Sequence, residues 1–206
     1  MGLSFENHKS EILQTENNDS LQENQLQSAQ GDAKIKEKSE LNTLPEINEN
    51  EKLRLEKQIA NAKTNDEIFQ LIPQQYKDIF APDHLEHILL GEIVRNKKGV
   101  EEAKGFHSES MPQPIGTIVQ ETLNPKNQNG IYRANVEIKG ILKKDQSTFF
   151  PKEWSAFQVV EAIHEAYQNR KLVSGKKYRY IGETKKGLEI LMYLDDNDKI
   201  ITAYPR

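Results

Sequence analysis

Three short segments near the C-terminal end of the chain, rich in Ile, Leu and Tyr, decide its fold: KYRYIGET at 177–184, LEILMYL at 188–194 and KIITAY at 199–204. The segments between them, KKG at 185–187 and DDND at 195–198, consist of residues that favour tight turns. The pattern therefore predicts three consecutive antiparallel strands joined by hairpins.

The first part of the region that precedes these strands is predominantly helical. Apolar residues at helical spacing predict a helix over 51–63, and Asn65 is expected to cap a second helix at 66–71. Asp83 is expected to cap a further helix over 84–90. Helices first and an antiparallel sheet afterwards indicate an α+β fold.

The middle of the chain has weaker patterns. Residues 92–130 are rich in Pro, Gly and Asn and predict loops, whereas residues 131–141 alternate, imperfectly, as one strand. Ser155 and Gln158 have the spacing of a capping box, so we expect a helix to begin there.

The first fifty residues differ in composition from the rest. They contain ten acidic residues, four lysines, twelve Asn and Gln, and only Phe5 of the fifteen aromatic residues. Such a segment buries too little apolar surface to offset the entropy of ordering it. We therefore expect a disordered acidic tail over residues 1–50.

Charge and cysteine content exclude several classes of protein. The chain has a net charge of −4, of which the first fifty residues contribute −6, so the remainder is about +2. This is far from the strongly basic surface of a duplex-DNA-binding protein, and DNA is not an expected partner. The absence of cysteine excludes disulfides and thiolate metal sites. We expect neither a secretory signal nor a membrane anchor.

Two histidines offer a complete mechanism for cleaving RNA. They are His87, in EHILLGE at 86–92, and His107, in GFH at 105–107. The 2′-hydroxyl of RNA can attack the adjacent phosphorus if a base takes its proton and an acid protonates the leaving 5′-oxygen. Imidazoles suit both tasks, and a lysine can stabilise the charge on the phosphate.

Two other interpretations fit the same residues. His84 would share a helical face with His87, and with Glu92 the pair could hold a metal ion in a metal-dependent phosphodiesterase. Alternatively, the chain could be a non-catalytic RNA-binding or protein-interaction module.

The order of four motifs resembles that of a known family. EHILLGE at 86–92, GFH at 105–107, STFFPKEWS at 147–155 and TAY at 202–204 resemble the EndoU endoribonucleases of the bacterial toxin type, over about residues 80–206.

The resemblance implies a division of the chain and a fold. Residues 51–206 would form an EndoU-like, or barnase-like, α+β nuclease domain. Within it, residues 51–82 would be a helical lead-in and residues 83–206 the catalytic core.

The resemblance also implies catalytic roles. His87 matches the general acid toward the 5′-oxygen, and His107 the base toward the 2′-hydroxyl. The catalytic lysine of the family lies a few residues before the STFFP motif, a spacing that both Lys143 and Lys144 meet, and of the two we favour Lys143. Tyr204 matches the aromatic residue that packs on the ribose or base.

Further residues match substrate-binding and supporting positions. Ser147, Thr148 and Thr202 are expected on the substrate side, with Ser147 and Thr202 at the pyrimidine edge. Glu86 and Glu92 flank the first histidine and could orient it.

The family implies a reaction and partners. The expected activity is endonucleolytic cleavage of single-stranded RNA or tRNA, with a preference for uridine or another pyrimidine, leaving 2′,3′-cyclic phosphate ends. No metal cofactor is expected, although some of the larger, distant relatives depend on manganese. A toxin of this type would act in the cytoplasm of a target cell after delivery without a classical signal peptide, and a cognate immunity protein would be its partner.

Overall fold

The computed structural model describes residues 47–206, in which helices come first and antiparallel sheets follow. The helices are α1 (Glu49–Asn61), α2 (Asn65–Leu71), α3 (Gln74–Lys77), α4 (His84–Leu89) and α5 (Ala156–Gln168). The strands are β1 (Glu92–Arg95), β2 (Glu101–Lys104), β3 (Gly116–Ile118), β4 (Tyr132–Ala134), β5 (Val136–Ile138), β6 (Ile141–Leu142), β7 (Ser147–Phe149), β8 (Lys171–Leu172), β9 (Arg179–Glu183), β10 (Glu189–Leu194) and β11 (Ile200–Pro205). The predicted α+β class is confirmed.

The three predicted C-terminal strands are confirmed as β9, β10 and β11. Together with β8 they form a four-stranded antiparallel sheet in the order β11-β10-β9-β8. Thr202 pairs with Tyr193, and Tyr204 pairs with Leu191. Because side chains two residues apart share one face of a strand, Thr202 and Tyr204 lie on the same face of the edge strand β11.

Helix α5 packs against strands β9 and β10 of this sheet. Its predicted capping box is present: Ser155 Oγ accepts from the backbone N–H of Gln158, and the Gln158 side chain accepts from the Ser155 N–H. The helix approaches β9 so closely that a Cβ at Gly182 would lie 1.8 Å from the carbonyl oxygen of Ala166. The absence of a side chain at this position therefore sets the distance between helix and sheet.

A second buried cluster supports the region between α4 and α5. Phe106, Tyr132, Val136, Ile138 and Phe149 are all nearly inaccessible to solvent. The rings of Tyr132 and Phe149 stack at 5.0 Å, and Phe106 meets Phe149 edge-on at 5.4 Å. Because Phe106 belongs to this cluster, the cluster anchors the chain directly before His107.

The loop prediction for residues 92–130 is wrong in part. Strands β1 and β2 form a hairpin with Glu92 opposite Lys104, and β3 and a short 3₁₀ helix (Gln120–Thr122) follow. The hairpin strands are rich in charged residues, and only Ala103 among them is buried, so the alternation that marks a strand is weak. Its turn is held by Asn96, whose Oδ1 accepts from the N–H groups of Lys98 and Val100.

The single strand predicted over 131–141 is three strands. β4 pairs with β7, whereas β5 pairs with β3 and β6. The chain changes sheets at Asn135, whose N–H donates to Thr122 Oγ1. Lys139 and Gly140 both have positive φ and form the turn between β5 and β6. These long-range pairings explain the imperfect alternation of the sequence.

Two helix caps also differ from the predictions. Thr64, and not Asn65, caps α2, in a capping box with Glu67. The Asn65 side chain instead bonds the backbone of Gln113. Asp83 stands at the predicted cap position of α4, but with φ of 64° and without a capping hydrogen bond from its side chain.

The predicted acidic tail at 1–50 lies outside the described residues except for its last four. There α1 begins at Glu49, two residues before the predicted start, with Asn48 as its cap. The helices of residues 47–206 are all too short or too polar to cross a lipid bilayer.

Replacing Gly182 should destabilise the protein strongly. The new Cβ of Gly182→Ala would collide with backbone atoms of α5, which cannot rotate away, and we expect the free energy of unfolding to fall by about 3 kcal/mol or more. Gly99→Ala is the control, because Gly99 has open space around it and only its positive φ opposes a side chain, at about 1 kcal/mol. Chemical denaturation measures both, and equal losses would contradict the close helix–sheet contact.

Candidate active site

Main-chain hydrogen bonds join the two segments that carry His87 and His107. The carbonyl of His87, in α4, accepts from the N–H of Gly91 at 3.1 Å and from that of Phe106 at 3.0 Å. The N–H of His107 donates to the carbonyl of Ile88 at 2.8 Å. The two histidines are therefore positioned by backbone geometry, 20 residues apart in sequence.

Gly105 makes this junction possible. Its φ is +72°, and a Cβ at this position would lie 2.0 Å from the carbonyl oxygen of His87. Any side chain would separate the two segments, because the atom that it would strike is a backbone oxygen engaged in hydrogen bonds. The glycine of the GFH motif is thus required by close approach as well as by its dihedral angle.

His107 is buried and held in one tautomer. Its side chain lies against Tyr204, with the two rings stacked at 5.1 Å, and the residue is 6% exposed. Nδ1 lies 2.8 Å from the carbonyl oxygen of Thr148. Because a carbonyl can only accept, the proton of the neutral ring is on Nδ1 and the lone pair is on Nε2. Nε2 has no hydrogen-bond partner in residues 47–206.

His87 has a different environment. Its Nδ1 lies 2.7 Å from Glu92 Oε1, and its Nε2 lies 3.2 Å from Thr202 Oγ1. Since the carboxylate accepts the Nδ1 proton, it orients the ring and favours a second proton on Nε2. Glu92 thus contacts the first histidine directly, and strand β11 contacts it through Thr202.

Lys143 extends toward both histidines from the segment before β7. Its Nζ donates to the carbonyl of Gly105 at 2.9 Å and to Ser147 Oγ at 2.7 Å. Burial, together with the nearby charge of Lys104, lowers the pKa of Lys143 to about 8. Lys144, the alternative, is exposed to solvent. The structure therefore brings Lys143, and not Lys144, to the histidines.

Burial opposes a positive charge on both imidazoles, and a carboxylate partly offsets this effect at His87. Burial lowers the pKa of His107 well below its ordinary value, and the positive charge of Lys143 lowers it further. Burial also lowers the pKa of His87, against the opposing effect of the Glu92 carboxylate. Burial raises the pKa of Tyr204, which keeps its phenol protonated. Because the charge of Lys143 acts on both histidines, these three side chains lie close together.

Three predicted residues have contacts that differ from the expectation. Ser147 is fully buried, and its Oγ bonds Lys143 and the Gly105 carbonyl, so it holds the lysine and does not present its hydroxyl to solvent. Thr148 contributes its backbone carbonyl to His107. The Glu86 side chain is exposed and makes no hydrogen bond or ion pair within residues 47–206, so it does not orient His87.

The residues proposed as metal ligands have other partners. Both nitrogens of His87 are engaged by Glu92 and Thr202, and His84 Nδ1 bonds the carbonyl of Pro82 at 2.7 Å. Within residues 47–206, no three or more His, Asp or Glu side chains are grouped so that they could hold a metal ion.

Two backbone carbonyls of the site were missed by sequence reasoning. Those of Gly105 and Thr148 hold Lys143 and His107, respectively. The positions carry a signal only in retrospect: Gly105 belongs to the GFH motif, and Thr148 adjoins Ser147. Because every residue has a main-chain carbonyl, the residue type does not reveal which carbonyl accepts a hydrogen bond from the site.

Comparison with known proteins finds a nuclease family and a relative named as a toxin. The family model described as bacterial EndoU nuclease matches residues 82–206. A protein of Bacillus cereus named "Toxin" is 43% identical over 134 residues, which are 64% of this chain and 24% of that protein. The chain thus spans about a quarter of the length of the relative that it matches. No solved structure matched the chain.

Replacing Lys143 should raise the pKa of His107. Lys143→Gln removes a positive charge that repels the imidazolium, so the pKa should move toward 6.5 but stay below it, because burial is the larger cause. NMR titration of the ring protons measures the change. Lys144→Gln is the matched control and should leave the pKa of His107 unchanged; equal shifts in the two variants would contradict the placement of Lys143.

Proposed function

Because the chain belongs to the bacterial EndoU nuclease family, we propose that it is an endoribonuclease that cleaves RNA by attack of the 2′-hydroxyl on the adjacent phosphorus. The observation that supports this most directly is the contrast between the two histidines. His107 keeps a free Nε2 lone pair next to a lysine, whereas His87 is bonded to a carboxylate. One imidazole is prepared to accept a proton and the other to donate one.

His107 is the base in this proposal. Its Nδ1–H is fixed by the Thr148 carbonyl, so Nε2 can take the proton of the 2′-hydroxyl. Its low pKa keeps it neutral at physiological pH. The oxygen freed of its proton then forms a bond to phosphorus.

His87 is the acid. The carboxylate of Glu92 stabilises the imidazolium, whose Nε2–H is delivered to the departing 5′-oxygen as the P–O bond breaks. Thr202, 3.2 Å from Nε2, fixes the direction of this nitrogen. The products would be a 2′,3′-cyclic phosphate and a 5′-hydroxyl.

Lys143 supplies the positive charge. Two of its three ammonium protons are directed to Gly105 O and Ser147 Oγ, which leaves one for a non-bridging phosphate oxygen. Charge stabilisation of this kind acts where negative charge increases during the reaction. Ser147 is a positioning residue in this scheme.

Base preference would come from the substrate side of β11. The exposed part of the Tyr204 ring offers a surface for a ribose or a base, worth about 1–3 kcal/mol for a stacked base. The hydroxyls of Thr202 and Thr148 can donate to or accept from a pyrimidine edge. We infer a preference for uridine or another pyrimidine in single-stranded RNA or in tRNA loops.

The Bacillus cereus relative named "Toxin" supports a role as a toxin. In that role the nuclease would act in the cytoplasm of a target cell after delivery, and a cognate immunity protein would have to block the site.

The two rival functions lead to different experiments. A metal-dependent phosphodiesterase would lose activity in EDTA and would need His84. A non-catalytic binding module would retain RNA without cutting it. We infer that no metal is required, since His87 is already engaged on both nitrogens.

Histidine substitutions test the mechanism. Incubating defined RNA oligonucleotides with the protein in EDTA should give 2′,3′-cyclic phosphate ends, identified by mass spectrometry. His87→Ala and His107→Ala should each lower the rate by at least about 100-fold, because each removes a proton-transfer group. His84→Ala, one helical turn from His87, is the matched control and should keep the activity within a few fold. Loss of activity in EDTA, or a dependence on His84, would contradict the proposal.

The pH dependence of kcat/KM should show the deprotonation of Lys143. Because the pKa of Lys143 is about 8, kcat/KM should fall more steeply above that pH than deprotonation of His87 alone would cause. Lys143→Arg keeps the charge at all these pH values, so the additional fall should disappear even if the activity is lower. An unchanged profile in Lys143→Arg would exclude Lys143 as the titrating cation.

A further inference from the structure

A cleft beside Tyr204 is not used by the mechanism above. It encloses about 450 Å³ and continues from Tyr204 and Thr148 toward the end of β11. Its floor is apolar and includes the buried Ile131 and Leu191. We call it the arginine cleft, because its lining also includes Arg133, Arg179 and Arg206.

The charge of the arginine cleft is one-sided. Three arginines line it, and no carboxylate side chain does. In the described part of the chain, none of these three arginines forms an ion pair, whereas Arg95 pairs with Glu101 and Arg170 pairs with Asp198. The positive charges of Arg133 and Arg179 are therefore not offset by a carboxylate side chain of residues 47–206.

Arg179 adds a second observation. It is half-buried at the start of β9, and its Nε is fully buried without a hydrogen-bond partner in residues 47–206. A partly buried guanidinium without a carboxylate partner is suited to bind a phosphate, because the contact is charge-assisted and the terminal nitrogens can reach its oxygens. A phosphate in the cleft would replace part of the hydration that the guanidinium of Arg179 loses on burial.

The cleft adjoins the base of the proposed reaction. Thr148 holds His107 through its carbonyl, and Tyr204 stacks on the same ring. Arg133 stands directly opposite Thr148 in the pairing of β4 with β7. Because His107 acts at the 2′-hydroxyl, this side of the site receives the nucleotide on the 5′ side of the scissile phosphate.

We propose that the arginine cleft binds the next RNA phosphate on the 5′ side of the cleaved linkage. This inference rests on the proposed ribonuclease function and deepens it. The protein would then recognise at least two successive phosphates, with Lys143 at the one that reacts and Arg133 and Arg179 at the one upstream. A 5′-phosphate would increase cleavage, and a 3′-phosphate would not.

Three small substrates test the proposal directly: UpA, pUpA with a 5′-phosphate, and UpAp with a 3′-phosphate. For the unaltered protein, kcat/KM for pUpA should exceed that for UpA by about 10-fold or more, as for a charge-assisted phosphate contact. UpAp should resemble UpA. In Arg133→Gln the advantage of pUpA should shrink to a few fold or less, while the cleavage of UpA itself stays unchanged.

Arg54→Gln is the matched control. Arg54 is an exposed arginine of α1, outside the cleft, and its replacement removes the same charge from the protein. It should preserve the full advantage of pUpA. On a longer oligonucleotide, Arg133→Gln should also reduce the slope of log(kcat/KM) against log(salt) by about 1, the value for one lost phosphate contact.

The outcomes separate the two levels of inference. If the protein cleaves none of these substrates and no longer RNA, the proposed function fails. If it cleaves UpA and pUpA equally, or if Arg133→Gln lowers both alike, the ribonuclease stands and the phosphate subsite is wrong. If Arg133→Gln leaves every RNA substrate unaffected but weakens the binding of an acidic protein inhibitor, the cleft is a protein-binding surface and the proposal is overturned.

Discussion

The close approach of Gly105 to the carbonyl of His87 is the contact on which the rest of the site depends. It allows Phe106 to donate to that carbonyl and His107 to donate to Ile88, so α4 and the segment after β2 share one set of main-chain bonds. The carbonyl of Gly105 then accepts a hydrogen bond from Lys143 Nζ. A single residue without a side chain thus relates two histidines and a lysine that come from three separate segments.

Burial has the same electrostatic effect on all three of these groups. It lowers the pKa of His87, His107 and Lys143, because each would carry a positive charge in a partly dehydrated site. Among these three groups, and within residues 47–206, it is His87 alone that has a carboxylate as a direct partner. The site therefore holds less positive charge before a phosphate arrives than its residue types suggest, and an incoming anion stabilises the charged forms.

The sequence predicted the elements with strong local signals and missed those that depend on distant partners. The terminal strands, the capping box at Ser155 and the two histidine motifs were recognised because their patterns are complete within a few residues. The hairpin after α4 and the division of the strand at Asn135 follow from pairings with remote strands, which residue type alone does not reveal. The choice between Lys143 and Lys144 likewise required knowing that Gly105 lies opposite.

Strand β11 brings Thr202 to His87 and Tyr204 to His107, which precede them by more than 90 residues in the chain. It is also tied to the helical part, since Ile200 exchanges main-chain hydrogen bonds with Ile79 and Ala81. During synthesis from the N-terminus, both histidines are therefore made long before the residues that complete their surroundings. A nascent chain that stops short of Tyr204 carries the acid and the base without the strand that contacts them both, so completion of the site coincides with completion of the sheet.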